Sequence, residues 1–202
     1  MATVELDITM SLDGFVAGPD DGPEHGLGRR GGERLHNWLF TGDTEGGEGF
    51  FKTSGGSTGI LEEFLMTAGA FLVGRRMFDV AQGWGGSPPL KVPTFVVTHR
   101  VPEEFAGEAS GFTFVTDGIE SAVERAKAAA GEKKVSIGGG ANIAQQCIRA
   151  GLVDVIQIHL APLLLGDGVR LFGDVGTDAI ELEQIRVVEA PGIAHVRYRV
   201  VK

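Results

Sequence analysis

The 202-residue sequence predicts a three-layer α/β/α fold with a mixed, mostly parallel central sheet. The middle of the chain alternates short apolar runs with longer helix-like runs, an order typical of parallel strands that helices cover on both faces. About the last 50 residues contain three strand-like runs with no room for long helices between them. These runs favour antiparallel strands added at the C-terminal end. Because no repeat or linker divides the chain, we expect one domain spanning residues 1–202.

Each predicted element follows from local composition. Strands are expected at residues 3–10, 71–74, 94–98, 112–115, 135–137, 153–160, 180–188 and 195–201. Helices are expected at residues 33–40, 57–67, 75–82, 117–130 and 141–150. Asp117 and Glu120 have the spacing of a capping box at the start of one of these helices. Segments 11–32 and 41–56 are rich in glycine and predict long loops.

Composition excludes several classes of protein. The net charge of −9 argues against a nucleic-acid partner or attachment to an anionic membrane. The single cysteine, Cys147, excludes an intramolecular disulfide and a cysteine-based zinc site, and we predict no metal. The N-terminus lacks the pattern of a signal peptide, and no apolar run has membrane-spanning length. A cytoplasmic protein with a small-molecule substrate is therefore expected.

The sharpest local feature is the turn Gly138-Gly139-Gly140, which lies between a predicted strand and a predicted helix. A helix N-terminus offers unpaired N–H groups and a partial positive charge, and glycines let a phosphate approach the backbone closely. The Rossmann fingerprint requires glycine at its sixth place, which here is Ile143. Taken alone, the turn is equally compatible with a strand-to-helix connection that binds nothing.

Two further strand ends carry groups that suit a phosphate. Gly74-Arg75-Arg76 places two arginines at a helix start, where the helix dipole disfavours them unless an anion is bound. Thr98-His99-Arg100 ends another strand with a hydroxyl, an imidazole and a guanidinium. Because open α/β sheets bind ligands at the carboxyl ends of their strands, the three turns together predict one site for a phosphorylated ligand.

Residues 71–78, 94–100 and 137–141 resemble, in order and spacing, the NADPH site of the dihydrofolate reductase superfamily. The resemblance implies a dihydrofolate reductase-like fold, NADPH as hydride donor and a homodimer. It places Gly74, Arg75 and Arg76 at the pyrophosphate and the 2′-phosphate, and two arginines with His99 favour NADPH over NADH. The complete cofactor-binding set predicted in this way is Val16, Ala17, Gly74, Arg75, Arg76, Met77, Thr98, His99, Arg100, Gly138, Gly139, Gly140, Ala141 and Asn142.

Residues 9–14, 150–154 and 159–168 resemble more closely the reductase domain of riboflavin-biosynthesis deaminase-reductases. In that family the strand before the glycine turn usually ends in a glutamate that faces the substrate, whereas this chain has Ile137 there. The substitution favours a more apolar substrate. Dihydrofolate reductases carry a carboxylate on the helix after the first loop, and no residue here, Glu33 included, aligns with it.

Candidate substrate residues are His36, Trp38 and Ile137. No catalytic residue is assigned, because the proton for the reaction could come from His36 or from water. His159 and His195 are expected to be structural, as is Cys147.

The sequence thus favours an NADPH-dependent reductase acting on a small heterocycle or an imine or carbonyl compound, 5-amino-6-(5-phosphoribosylamino)uracil included. Dihydrofolate reduction and a non-catalytic NADPH-binding module are the alternatives.

Overall fold

The computed structural model describes residues 2–105 and 111–202. The strands of this part of the chain are β1 (Val4–Ser11), β2 (Phe15–Ala17), β3 (Thr44–Gly46), β4 (Phe51–Thr53), β5 (Ala68–Gly74), β6 (Thr94–Val97), β7 (Phe112–Val115), β8 (Lys134–Gly139), β9 (Val155–Ala161), β10 (Val169–Arg170), β11 (Leu182–Ala190) and β12 (Ile193–Val200). The α-helices are α1 (Gly56–Thr67), α2 (Arg75–Val80), α3 (Ile119–Ala130) and α4 (Ala141–Arg149). Short 3-10 helices cover Gly32–Leu39, Gln82–Gly86 and Glu103–Phe105.

The central sheet has eight strands in the order β11-β12-β9-β1-β8-β5-β6-β7. The six strands from β9 to β7 are mutually parallel. β12 pairs antiparallel with β9, and β11 pairs antiparallel with β12. The predicted fold class is therefore confirmed: the sheet is mixed and mostly parallel, with antiparallel strands at its C-terminal end.

One face of the sheet forms the main hydrophobic core. Leu6, Ile137 and Leu72 lie side by side in β1, β8 and β5, and each is fully buried. Alanines of α3 and the apolar stripe of α4 pack on these side chains, because both helices present small or branched residues at helical spacing. Burial of this apolar surface is the main stabilising contribution on this face.

The opposite face is covered by α1 and is unusually polar. Ser57 of α1 contacts His195 of β12, and Phe64 of α1 lies beneath the ammonium group of Lys134 from β8. Residues two apart in β1 point to this same face, and three of them are polar: Glu5, Asp7 and Thr9. The face therefore depends on paired charges and hydrogen bonds for its stability.

The two segments predicted as loops contain short strands. β2 lies within segment 11–32 and pairs with β10, and β3 and β4 form a hairpin within segment 41–56. Three-residue strands have too few positions to show a period of two, so the sequence pattern missed them. The predicted helix at residues 33–40 is a 3-10 helix, Gly32–Leu39, that follows Gly31 in the left-handed region with φ of 96°.

The capping box predicted at Asp117 and Glu120 is wrong. The residue that precedes α3 is Gly118, and no side chain caps the helix. The carboxylate of Asp117 instead accepts hydrogen bonds from Ser121 and Arg125, at 2.9 Å and 2.7 Å. Gly118 has φ of 109°, which turns the chain so that Asp117 lies too far back to cap the helix. None of the helices at residues 2–105 and 111–202 is long and apolar enough to cross a membrane.

Candidate cofactor and substrate cleft

A cleft of about 1000 Å³ runs along the sheet edge at which β5, β6 and β8 end. Parallel strands end at the same edge, so the three glycine- and arginine-bearing turns meet there. All fourteen residues of the predicted cofactor set line this cleft, as do His36 and Trp38. We call the part beside β5 and β6 the cofactor end, and the part beside β1 and β9 the substrate end. The binding roles of these residues stay predictions.

The glycine turn is shaped by close packing at one residue and by open space at another. A Cβ on Gly138 would lie 2.0 Å from Cζ of Phe71, whereas a Cβ on Gly140 would meet no heavy atom within 4 Å. Gly139 has φ of 135°, and its peptide bond to Gly140 is cis. No side chain caps α4, which begins at the next residue. The start of α4 therefore presents free backbone N–H groups beside a space that a phosphate could enter.

The cofactor end gathers several cationic side chains. Arg75 donates from Nε to Asp79 Oδ1 at 2.7 Å and from Nη1 to the carbonyl oxygen of Arg100 at 3.2 Å. Within the described part of the chain, the guanidinium of Arg100 itself makes no hydrogen bond or ion pair. An anion at this end would therefore find at least one free guanidinium.

Arg76 is held by an acidic residue of the first long loop. Its Nε donates to Asp21 Oδ2 at 2.8 Å, and this hydrogen bond raises the pKa of the arginine above its ordinary value. Asp21 also lines the cleft. A phosphate bound to Arg76 would thus compete with Asp21 for the same guanidinium.

At the substrate end, Trp38 connects the 3-10 helix Gly32–Leu39 to the central sheet. Its Nε1 donates to Thr9 Oγ1 at 3.1 Å, and its ring lies 4.6 Å from that of His159. His36, two residues earlier, is half-buried, and burial followed by the charge of His159 lowers its pKa to about 4. His36 is therefore neutral at pH 7 and does not carry the proton that a general acid needs.

The placement of Ile137 corrects the sequence interpretation. Its side chain is fully buried between Leu6 and Leu72 in the core under α3 and α4, and it does not line the cleft. Successive residues of a strand point to opposite faces, so in β8 the neighbours Ser136 and Gly138 point away from that core. The inference of an apolar substrate from Ile137 therefore has no basis.

Sequence reasoning missed a buried hydrogen-bonded chain that reaches the cleft, which we call the Asp7 chain. Asp7 Oδ1 contacts His159 Nε2 at 2.9 Å, and His159 Nδ1 contacts His195 Nδ1 at 2.7 Å. His195 Nε2 then contacts Ser57 Oγ at 2.8 Å. Asp7 and His159 line the cleft, whereas Ser57 and His195 lie behind them and are almost fully buried.

The pKa values within the Asp7 chain indicate an ionised Asp7 and a neutral His195. Burial by itself would raise the pKa of Asp7, but His159, assisted by Lys134 and Arg197, lowers it below the ordinary value. Burial, followed by the charge of His159, lowers the pKa of His195 to about 3. Asp7 is therefore a carboxylate, and His195 a neutral imidazole, at pH 7.

A second cluster on the same face of the sheet pairs the buried Glu5 and the half-buried Glu63 with basic side chains. Glu5 is fully buried and contacts Lys134 Nζ at 2.7 Å, and it also contacts the guanidinium of Arg197. Glu63 of α1 accepts from Arg186 at 2.7 Å and from Arg197 at 3.3 Å. The acidic residues at alternate positions of β1 were the available sequence signal, because a strand that is central and buried on both faces rarely carries two carboxylates without partners.

A mixed sheet of this order, with a cleft along the ends of its parallel strands, defines a dihydrofolate reductase-like α/β protein. The family model of the RibD C-terminal domain matches residues 2–192, and the chain belongs to that family. Among curated proteins, the chain is 26% identical over 184 residues to the uncharacterized protein YyaP of Bacillus subtilis (strain 168); the match covers 84% of this chain and 80% of YyaP.

Solved structures of the same fold include a protein of Shewanella sp. PV-4 that is named for riboflavin biosynthesis. It superposes with a TM-score of 0.70 and 21% identity, over 100% of both chains. Dihydrofolate reductase from Enterococcus faecalis, solved with NADP(H), superposes with a TM-score of 0.56 and 16% identity, over 99% of this chain and 97% of that one. At these identities the likeness shows the fold alone.

Proposed function

We propose that the protein is an NADPH-dependent reductase that transfers a hydride to a small heterocycle or to the C=N or C=O group of a small compound. The observation that carries the proposal is the convergence of four separate segments on one cleft. Residues 16–17, 74–77, 98–100 and 138–142 were selected from sequence alone, and all of them line the cleft. Membership in the RibD C-terminal family supports a reductase.

The residues present fit NADPH. The open space at Gly140 and the uncapped start of α4 would take the pyrophosphate, and Arg75, Arg100 and Thr98 would take the 2′-phosphate. When bound, NADPH would supply the hydride, and the protein would supply binding and orientation. Val16 and Ala17, in β2, also line the cleft and would border the nicotinamide.

Two narrower substrate assignments are less favoured by this cleft. The Lys and Arg side chains that line it among the described residues are Arg75, Arg76 and Arg100, all at the cofactor end. A phosphoribosyl pyrimidine would need a cation for its phosphate at the substrate end. For a folate, α1 offers only Ile60, Leu61 and Phe64 to the cleft and no carboxylate.

The cofactor assignment is tested by replacing both Thr98 with Glu and Arg75 with Ala. A carboxylate at residue 98 would repel the 2′-phosphate, and the loss of Arg75 would remove an attracting charge. We expect the double variant to lose at least about tenfold in NADPH affinity, measured by titration calorimetry, and much less in NADH affinity. Arg199→Ala, which removes an exposed arginine of β12, is the matched control.

Equal losses of affinity for NADPH and NADH would contradict the assignment of Thr98 and Arg75 to the 2′-phosphate. Turnover is assayed separately, as the loss of NADPH absorbance with a panel of imines, iminium ions, quinones and pteridines. NADPH binding without oxidation across that panel would favour the non-catalytic module instead.

A further inference from the structure

Three phenylalanines lie together at the outer edge of the substrate end, and we call Phe40, Phe50 and Phe51 the aromatic rim. The ring centroid of Phe51 lies 4.8 Å from that of Phe50 and 5.8 Å from that of Phe40. Phe51 lines the cleft, whereas Phe40 and Phe50 lie outside it and are 48% and 71% exposed. The rim is therefore one apolar surface that begins inside the cleft and continues outside it.

The backbone holds the rings of the rim in place. Phe40 directly follows the 3-10 helix, and Phe51 is the first residue of β4. The N–H group of Gly42 donates to the carbonyl oxygen of Lys52 at 2.8 Å, which fixes these two segments side by side. A Cβ on Gly42 would lie 2.1 Å from the carbonyl carbon of Thr53, so this close approach requires glycine. Rings that are positioned in advance lower the entropic cost of binding a ligand.

The same apolar surface continues into the cleft along α1. Ile60, Leu61 and Phe64 of this helix line the cleft. The hairpin that carries Phe51 lies against the helix, since a Cβ on Gly46 would be 3.1 Å from Cδ2 of Leu61. The Lys and Arg side chains that line the cleft among the described residues are all at the cofactor end. A ligand that runs from α1 past Phe51 would thus meet apolar side chains and none of those cations.

The exposed area of the rim suits part of a small molecule better than a protein partner. Phe40 and Phe50 together expose roughly 250 Å², because a whole phenylalanine side chain offers about 200 Å². A stable protein–protein interface buries about 800 Å² on each partner. An apolar chain of a ligand would cover these rings favourably, since both surfaces would leave water.

We propose that the cleft binds an elongated substrate whose planar head carries the reducible C=O or C=N group inside and whose uncharged alkyl tail lies on the aromatic rim. The proposal rests on the proposed function, because the head is the part that would lie beside the cofactor. The rim then determines specificity, since it distinguishes substrates by their tails. Phenyl rings offer neither a hydrogen-bond donor nor a cation to a phosphorylated or otherwise polar tail.

Binding of matched probes tests the tail without turnover. The probes share a 2-methyl-1,4-naphthoquinone head and carry at carbon 3 a hydrogen, a heptyl chain or a 2-(2-methoxyethoxy)ethyl chain of the same length. Titration calorimetry in the presence of NADP⁺ measures the three affinities. We expect the heptyl probe to bind at least about tenfold more tightly than the other two, because only its chain is fully apolar. A heptyl probe that binds no more tightly than the others, or that does not bind, would overturn the proposal.

The double variant Phe40→Ser and Phe50→Ser assigns this gain in affinity to the rim. Both rings are exposed and lie outside the cleft, so their loss leaves the core and the site for the head in place. The advantage of the heptyl chain is expected to fall to less than about threefold, while the affinity for the head alone changes by less than about twofold. Phe172→Ser, which removes another exposed ring that does not line the cleft, is the matched control. A folded double variant that keeps the full advantage of the heptyl chain would contradict the proposal.

Sedimentation of the same proteins tests the competing occupant, which is a second copy of this chain. We expect the wild type and the double variant to have the same oligomeric state. A wild-type oligomer that the double variant dissociates would assign the rim to a contact between subunits and overturn the proposal.

Turnover separates this proposal from the proposed function. Reduction of either quinone by NADPH takes up one proton from water and yields the hydroquinone and NADP⁺. Tail-dependent binding that the double variant loses, without NADPH oxidation, supports the rim and counts against a reductase. Oxidation of NADPH with the same kcat/KM for the head alone and for the heptyl probe supports a reductase and counts against the rim.

Discussion

Gly138 and Gly140 are two residues apart, and a side chain would meet opposite surroundings at the two positions. A Cβ at Gly138 would collide with the buried ring of Phe71, so glycine there serves the packing of the sheet. A Cβ at Gly140 would enter the cleft and meet no protein atom. The first glycine is therefore required by the fold, and we propose that the second leaves room for the cofactor to approach the backbone.

The paired variants Gly138→Ala and Gly140→Ala separate these two roles. Gly138→Ala is expected to lower the free energy of unfolding by about 1–3 kcal/mol, since Phe71 must shift within a packed interior. Gly140 has φ of −87° and ψ of −172°, which alanine adopts without strain, so Gly140→Ala keeps its stability within about 0.5 kcal/mol. It is expected to lose at least about tenfold in NADPH affinity.

Urea unfolding and calorimetry on both proteins provide the check. Normal NADPH binding by Gly140→Ala would remove the glycine turn from the cofactor site.

At the scale of single residues, the positions of the strand-end turns were predicted from the sequence, whereas the directions of the buried side chains were not. Glycines and arginines at strand ends have local signatures, and the structure brings them to one cleft. The face of the sheet to which the side chains of Ile137 and Asp7 point depends on how strands from distant parts of the sequence pair. A shift of one residue in their register would turn each side chain to the opposite face. That register is not readable from a single strand.

At the scale of elements, the face of the sheet under α1 makes the fold sensitive to acid. His195 is 1% exposed, and burial followed by the charge of His159 lowers its pKa to about 3; burial lowers the pKa of His36 to about 4. In the unfolded chain both histidines titrate near pH 6.5. Below pH 6.5 the unfolded chain binds protons that the folded protein does not bind, so the free energy of unfolding must decrease.

We predict that the free energy of unfolding falls between pH 6.5 and about pH 4. Each of the two histidines contributes a slope of about 1.4 kcal/mol per pH unit in this window, and their contribution is constant above it. Urea unfolding at several pH values from 7.5 to 4.5 measures the slope. His195→Gln removes one titrating group, so its slope should be smaller although its stability at pH 7 is also lower.

An unfolding free energy that does not change between pH 7 and 4.5 would show that these imidazoles are not buried as described. His25→Gln, outside this face of the sheet, is the control whose slope should match that of the wild type.

The longer helices and strands were predicted from the sequence, whereas the shortest strands were not. All eight strands of the main sheet and α1 to α4 were predicted, with boundaries shifted by a few residues. The hairpin β3–β4 and the pair β2–β10 were missed, because tertiary pairing stabilises them more than local propensity does. The cap of α3 was wrong because glycine at residue 118 redirects the chain.

At the scale of the whole molecule, the parallel order of β1, β8, β5 and β6 produces the function we propose. Parallel strands bring turns from distant parts of the chain to one edge, and the two loop-rich segments, 11–32 and 41–56, contribute residues of the cleft such as Leu27 and Phe51. The meeting of the three strand-end turns at one cleft was predictable because their glycines and arginines have local signatures. The substrate end was not, since Asp7, His159, His195 and Ser57 meet only in the folded sheet.

The central claim is that this cleft binds NADPH, and the chain carries its own reporters for a direct test. Its two tryptophans, Trp38 and Trp84, both line the cleft, one at the substrate end and one near α2. NADPH absorbs where indole emits, so bound NADPH should quench tryptophan emission and gain emission of its own by energy transfer. We predict saturable, one-to-one quenching by NADPH that the Gly140→Ala variant loses. No quenching at millimolar NADPH, or the same saturation curve in that variant, would contradict the account.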